Sequence, residues 1–288
     1  MIGNKVSERC VAVAISVATA IFGWPAAMSA STSASTSASS SAGPAGMSLQ
    51  LAYEVEWGGV DVASATADWV FTEDAFELVA TSQTEGLTGS LRSYRGLTEL
   101  TGRIEAGRHV PHRLSISGVS KGRTREAFTT WAPRTGNIAT QRDPKLDLKK
   151  VFPLADEHID GAIDPFSAML NALDRIAQTG SCSSSERVYD GLRTSVLTLH
   201  DLGTAVLEKD RPFAYAGEAL VCGFVGRPTG GHWRKSRWRE KQPKPEDVQV
   251  FVSEVRPGLF IPVRIEARSF LGTVTARLVM PSLKYEAN

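Results

Sequence analysis

The chain lacks most of the residue patterns that reaction chemistry leaves in a sequence. Among its 288 residues are 3 cysteines, with no Cys-x-x-Cys spacing. The histidines at 109, 112, 158, 200 and 232 stand at no ligand-like distance from any of them, so a metal or redox motif is not written here. No nucleophile elbow is set between a predicted strand and a helix, since Gly118-Val119-Ser120-Lys121-Gly122 leads from one predicted strand into the next, and Gly226-Arg227-Pro228-Thr229-Gly230-Gly231 lacks both the lysine and the strand–loop–helix setting of a phosphate loop. An excess of charge is missing too. With 32 Lys plus Arg against 31 Asp plus Glu, the chain has no broad cationic field of the kind that neutralises nucleic-acid phosphates. The expectation is no cofactor, no metal and no nucleic-acid partner.

What is present is an ordinary globular profile, 42% hydrophobic and 22% charged, which excludes collagen-like, coiled-coil and wholly disordered chains. Lys5 and Arg9 form a short positive stretch before an apolar run over 11–22. That run is shorter than the roughly 20 residues needed to cross a hydrocarbon core. Small residues at Ala26, Ala27, Ser29 and Ala30 suit a secretory peptidase. The reading is a cleaved signal peptide over 1–30 and a periplasmic or secreted location, with an uncleaved N-terminal anchor as the minor alternative. Residues 31–46 are Ser, Ala and Thr with little else, which predicts a flexible linker. Loss of Lys5, Glu8 and Arg9 leaves the exported chain, a single β-rich domain over 47–288, formally neutral.

Cys10 departs with the signal peptide, leaving Cys182 and Cys222. In an exported chain an even pair favours a disulfide worth about 4 kcal/mol in the chain-entropy view. Free buried thiols and a redox or metal pair are the alternatives.

Beyond Gly46 the apolar residues alternate with polar ones, the mark of strands with one buried face. Strands are predicted over 49–57, 63–71, 76–84, 97–105, 110–119, 124–131, 186–189, 192–202, 213–225, 248–252, 261–268 and 274–280, with Gly58-Gly59 and Asp190-Gly191 as turns. One segment breaks the pattern. Asp164 reads as an N-cap and Pro165 as the first helical residue, followed by Phe166, Met169, Leu170, Leu173 and Ile176 at helical spacing up to Gly180. The fold class predicted is mainly β: one strongly curved antiparallel sheet or incomplete barrel of about 10–12 strands, too many for a flat open sheet, wrapped on a single amphipathic helix at about 164–178. A two-sheet sandwich is the alternative.

Three strings stand in order along this chain: Ile163-Asp164-Pro165-Phe166-Ser167-Ala168-Met169-Leu170, Val188-Tyr189-Asp190-Gly191-Leu192-Arg193, and Gly258-Leu259-Phe260-Ile261-Pro262-Val263-Arg264-Ile265. Together with the Tyr53 strand, its Gly58-Gly59 turn and the Cys182/Cys222 pair, they resemble the bacterial exported family of domain of unknown function 3108. The resemblance covers about 49–283 and departs from the family at Val62-Ala63-Ser64-Ala65, where a further glycine is common. It implies an envelope β-protein of unassigned activity, similar in architecture to half-barrel carriers of lipids and lipoproteins.

No set of residues amounts to a catalytic site. His109 and His112 flank Pro111 on what alternation makes opposite faces of one strand. Pairs such as Glu54 with Glu56 and Asp156 with Glu157 are commonplace among so many acids, and Asp164 and Asp190 have structural reasons to be where they are. The unusual segment is His-Trp-Arg-Lys-Ser-Arg-Trp-Arg-Glu-Lys over 232–241. Trp233, Arg234, Arg237, Trp238 and Arg239 could grip anionic sugars or lipid headgroups, or form a ribbon whose charges are merely solvated. The functional expectation is a non-enzymatic envelope protein that binds a hydrophobic, lipid-like ligand in the groove of its curved sheet, with peripheral membrane contact. The alternatives are a structural, glycan-binding or anionic-headgroup protein and, less favoured, a polysaccharide hydrolase or lyase.

Overall fold

The structure is a computed structural model that describes residues 46–86, 89, 93–132, 137–145, 147, 149–234, 244–269 and 272–287. The predicted signal peptide and nearly all of the linker lie outside the described residues. Strands β1 (Met47–Trp57), β2 (Val60–Phe71), β3 (Ala75–Thr84), β4 (Tyr94–Glu105), β5 (Arg108–Ser120), β6 (Arg123–Trp131) and β7 (Ile138–Asp143) form an antiparallel meander. After the short α1 (Asp156–Ile159) and the longer α2 (Pro165–Thr179) come β8 (Ser184–Tyr189), β9 (Thr194–Leu207), β10 (Gly217–Gly230), β11 (Val248–Arg256), β12 (Leu259–Ser269), β13 (Gly272–Leu278) and β14 (Lys284–Ala287). All belong to one sheet, ordered β7-β6-β5-β4-β3-β2-β1-β13-β12-β11-β10-β9-β8, with β14 beside the start of β1.

The curved single sheet is therefore as expected, and the differences lie at its margins. β7 and β14 add strands that alternation did not reveal, and β10 runs on through Pro228 to Gly230. At the departure from the family pattern, Val55 pairs with Ala63 and Glu56 with Asp61. Val62 is thus the extra residue of a bulge, with its side chain buried.

The described edges β7 and β8 share no backbone ladder, so the sheet is not closed into a barrel. Side chains nevertheless cross the seam. Arg142 of β7 donates to the Tyr189 hydroxyl of β8 at 2.7 Å and to the Gly191 carbonyl, and Arg108 meets Glu186 at 2.8 Å. Such contacts require a sheet curled far enough to bring its two ends together.

The curl wraps α2. This helix packs on β5, β8 and β12, strands well separated in the sheet order. Asp164 caps it, its Oδ1 accepting from Phe166 N (2.8 Å) and Ser167 N (3.1 Å). Gly180 ends it at φ +67 with its N–H on Ile176 O, a left-handed conformation that costs a glycine little. Phe166 and Leu170 enter the main core with Trp69, Phe76, Leu78, Leu100 and Leu114, and Trp69 meets the Phe166 ring edge-on. Ile176 joins Cys182, Cys222 and Val252 in a second cluster. The apolar part of the concave face is thus filled by the helix, because Phe166 and Leu170 occupy the volume that an open apolar groove would need.

Candidate functional site

The strands carry their side chains in cross-strand rows, and the rows change character along the sheet. Towards the end where β2 turns into β3 and β4 into β5, one row reads Leu49, Trp69, Leu78, Leu100, Leu114, Thr129. All six are buried, and this is the end that α2 fills. Two steps further the row reads Leu278, Tyr53, Ala65, Ser82, Gly96, Gly118, Arg125. The next is Ala276, Val55, Ala63, Thr84, with Tyr94 paired to Ser120 and Ser120 to Arg123. Alternation with the buried Ala127, Thr129 and Trp131 puts both Arg123 and Arg125 on the concave face, where they are half-buried.

This end is polar and small. Tyr94 lies with its ring and hydroxyl against Gly96 and Gly118: a Cβ on Gly96 would fall 2.6 Å from the hydroxyl, and one on Gly118 would be tight against the ring at 3.2 Å. Burial pushes the Tyr94 phenol above its usual range, opposed by a hydrogen bond with Ser82. Ser82 and Gly96 themselves remain half-buried, so solvent reaches the concave face here. Desolvation also pulls the Arg125 guanidinium below its ordinary value, since burial penalises the charged form.

The residues singled out by sequence scatter over the molecule. Cys182 and Cys222 are joined in a disulfide, Cα to Cα 5.7 Å, tying the end of α2 to β10. Trp233 pairs with Val151, and the Arg234 guanidinium stands 5.1 Å from the Phe152 ring centre. Arg237, Trp238 and Arg239 lie outside the described residues. His109 is buried between Phe71 and Phe76, its Nδ1 3.2 Å from Asp174, whereas His112 is exposed. Asp190 holds its own turn through Leu192 N and Arg193 N and pairs with the Arg193 side chain.

Two arrangements escaped the sequence reading. Glu56 is buried against Arg211 and Arg277, and Asp210 bridges Arg264 and Arg277, so the β9–β10 connection is fastened across β12, β13 and β1. Glu54 stands in the same row as Arg277 rather than facing Glu56 as an acid pair. Ser195 Oγ lies 3.3 Å from His232 Nε2. This is not a nucleophile with its base. The same nitrogen is 2.9 Å from the Thr194 carbonyl, which accepts only from an N–H, so Nε2 holds a proton and has no lone pair for the serine. Among the described residues no three His, Cys, Asp or Glu are placed to hold a metal ion, and no helix is long and apolar enough to cross a membrane.

The family described as "Protein of unknown function (DUF3108)" matches residues 52–279. The chain belongs to this family. Its three motif strings now have physical meanings in this DUF3108 protein: the capped start of α2, the turn where Tyr189 receives Arg142, and the strand whose Pro262 carbonyl accepts from Tyr53 Oη at 2.8 Å. Among solved structures the chain is similar to a β-barrel-like protein of domain of unknown function DUF1849 from Brucella abortus, at 10% identity over 85% of this chain and 98% of that one, with a TM-score of 0.45. No curated protein matches it.

Proposed function

We propose that this DUF3108 protein is a non-enzymatic binding protein of the bacterial envelope that holds an acyl-chain amphiphile at the small-residue end of its curled sheet. The carrying observation is Arg125, a guanidinium on the concave face in one row with Gly118, Gly96 and Ser82. A guanidinium on this face presents a planar fork of donors, the geometry that pairs side-on with a carboxylate or phosphate head. Arg123, two residues away on the same face, adds a second charge, and the hydroxyls of Tyr94 and Ser82 add hydrogen-bonding capacity. Ala63 and Ala65, in the two rows of this end, supply a smooth apolar wall. The large-residue end is already full, so the acyl chain runs along this wall rather than beneath α2. Export is supported by the positive and apolar N-terminal pattern and by the Cys182–Cys222 disulfide, a bond that persists in oxidising compartments.

Native mass spectrometry and solvent extraction of protein purified from the envelope test this reading. A co-purifying acyl species, or stoichiometric uptake of added oleate, is the expected result. Protein that carries no acyl species and takes up no oleate overturns it.

A further inference from the structure

A separate feature lies at the same end of the sheet. β10 leaves the sheet at Gly230, on the margin where β1 turns into β2 and β5 into β6. The chain beyond it pairs with the segment that follows β7: Gly231 N donates to Phe152 O (3.2 Å), Phe152 N to His232 O (2.8 Å) and Arg234 N to Lys150 O (2.9 Å). This short ribbon is firmly seated. Val151 is buried, His232 is fixed to Thr194 O, and Gly231, at φ +73, sits where a Cβ would be 2.2 Å from Leu192 O. Pairing brings two separate basic stretches together. Lys150 and Arg234 stand opposite each other across the ribbon, and both are exposed, as are Lys149 and Lys145 in the same stretch as Lys150. Asp147 is the local acid, bonded to Lys150 at 2.9 Å and itself exposed, so solvent screens that pair and leaves it weak.

We propose that the ribbon of 149–152 and 231–234 is a docking surface for an anionic lipid bilayer. Charge selects the partner's sign: a formally near-neutral protein presents a cluster of cations on one rigid ribbon. The aromatic rings select a bilayer over a soluble polyanion. Phe152 lies under the Arg234 guanidinium, and the half-buried Trp233 stands beside Val151 on the other face of the ribbon, so one narrow ribbon carries the aromatic and cationic mixture that settles at a lipid headgroup layer. Docking there would present the small-residue end of the sheet towards the membrane. The inference does not depend on the amphiphile site, since a surface can dock whether or not the concave face is occupied.

Co-sedimentation of the mature chain with vesicles of phosphatidylcholine, with and without phosphatidylglycerol, is the test. Binding is expected only with phosphatidylglycerol. Lys149→Glu, Lys150→Glu and Arg234→Glu should each weaken it about five-fold or more, and the triple variant about 100-fold, at the strength typical of one basic residue near an anionic surface. If the triple variant melts early, the wild-type protein answers instead: about 0.5 M salt, where screening acts within a few ångströms, should release it. Equal binding to both vesicle types, binding insensitive to salt, or binding to soluble dextran sulfate without binding to vesicles overturns the proposal. Oleate uptake in the same triple variant separates this result from the amphiphile reading.

Discussion

The two ends of the concave face are built from the same strands and do opposite things. At one end Trp69, Phe76, Leu78, Leu100 and Leu114 meet Phe166 and Leu170 of α2 and close into a dry core. At the other, the same β2 to β5 offer Ala65, Ser82, Gly96 and Gly118, with Arg125 beside them on β6 and solvent within reach. The contrast teaches where stability and function separate. Large side chains spend the enclosed volume on packing, and small ones leave it to Tyr94, to water and, in our proposal, to a guest.

The comparison is broken most severely by emptying the packed end. Phe166→Ala removes a buried ring that Trp69 meets edge-on, so unfolding in urea should show a loss of about 3–5 kcal/mol. A smaller effect separates two glycines of one strand. In Gly102→Ala the new methyl would lie 2.2 Å from the Phe76 ring and 2.7 Å from the Val110 carbonyl, neither free to move, and the expected cost is about 1–3 kcal/mol. In Gly96→Ala it would meet the tips of Tyr94 and Ser82, which can rotate away, so the melting temperature should fall by less than in Gly102→Ala. Equal losses would mean that the small-residue end is as tightly packed as the other.

The smallest effect concerns the cap of α2. Burial raises the folded-state pKa of Asp164 above its ordinary value, against hydrogen bonds from Phe166 N and Ser167 that favour the carboxylate. The folded protein therefore binds this proton more tightly than the unfolded chain, whose carboxyl titrates near 3.9. Protonation then adds stability as pH falls through the raised folded value, and the gain is complete below about 3.9. Asp164→Asn keeps a capping oxygen and loses the titration. Melting curves from pH 7 to pH 4 should show the wild-type protein gaining on the variant by a few degrees as the pH drops. A gap that stays constant with pH, or narrows, contradicts the sign.

Much of the architecture was legible in the sequence because burial writes it in alternation. Val274, Ala276 and Leu278 on β13, or Leu49, Leu51 and Tyr53 on β1, could only be strands with one covered face, and Asp164-Pro165 with Gly180 marked both ends of α2. β7 was hidden for the same reason in reverse: Ile138, Thr140 and Arg142 lie at an edge, where one face need not be apolar. The ion cluster of Glu56, Asp210, Arg264 and Arg277 joins residues more than 150 positions apart, a proximity only the folded sheet supplies. Arg125 did leave a trace, an arginine in register with Ala127, Thr129 and Trp131 on the buried side of its strand. The denser Trp and Arg segment after His232 is the louder signal in sequence, and its described part, Trp233 and Arg234, lies against Val151 and Phe152.

The central claim, that the packed end holds the fold and the small-residue end holds the ligand, is tested most directly by titrating oleate into the wild-type protein, Arg125→Gln and Phe166→Leu. Calorimetry should show an affinity about ten-fold or more lower in Arg125→Gln, the worth of one charge-assisted contact. Phe166→Leu should bind like the wild type while melting at a lower temperature. Undiminished binding in Arg125→Gln, or binding lost in Phe166→Leu while that variant remains folded, would contradict the account.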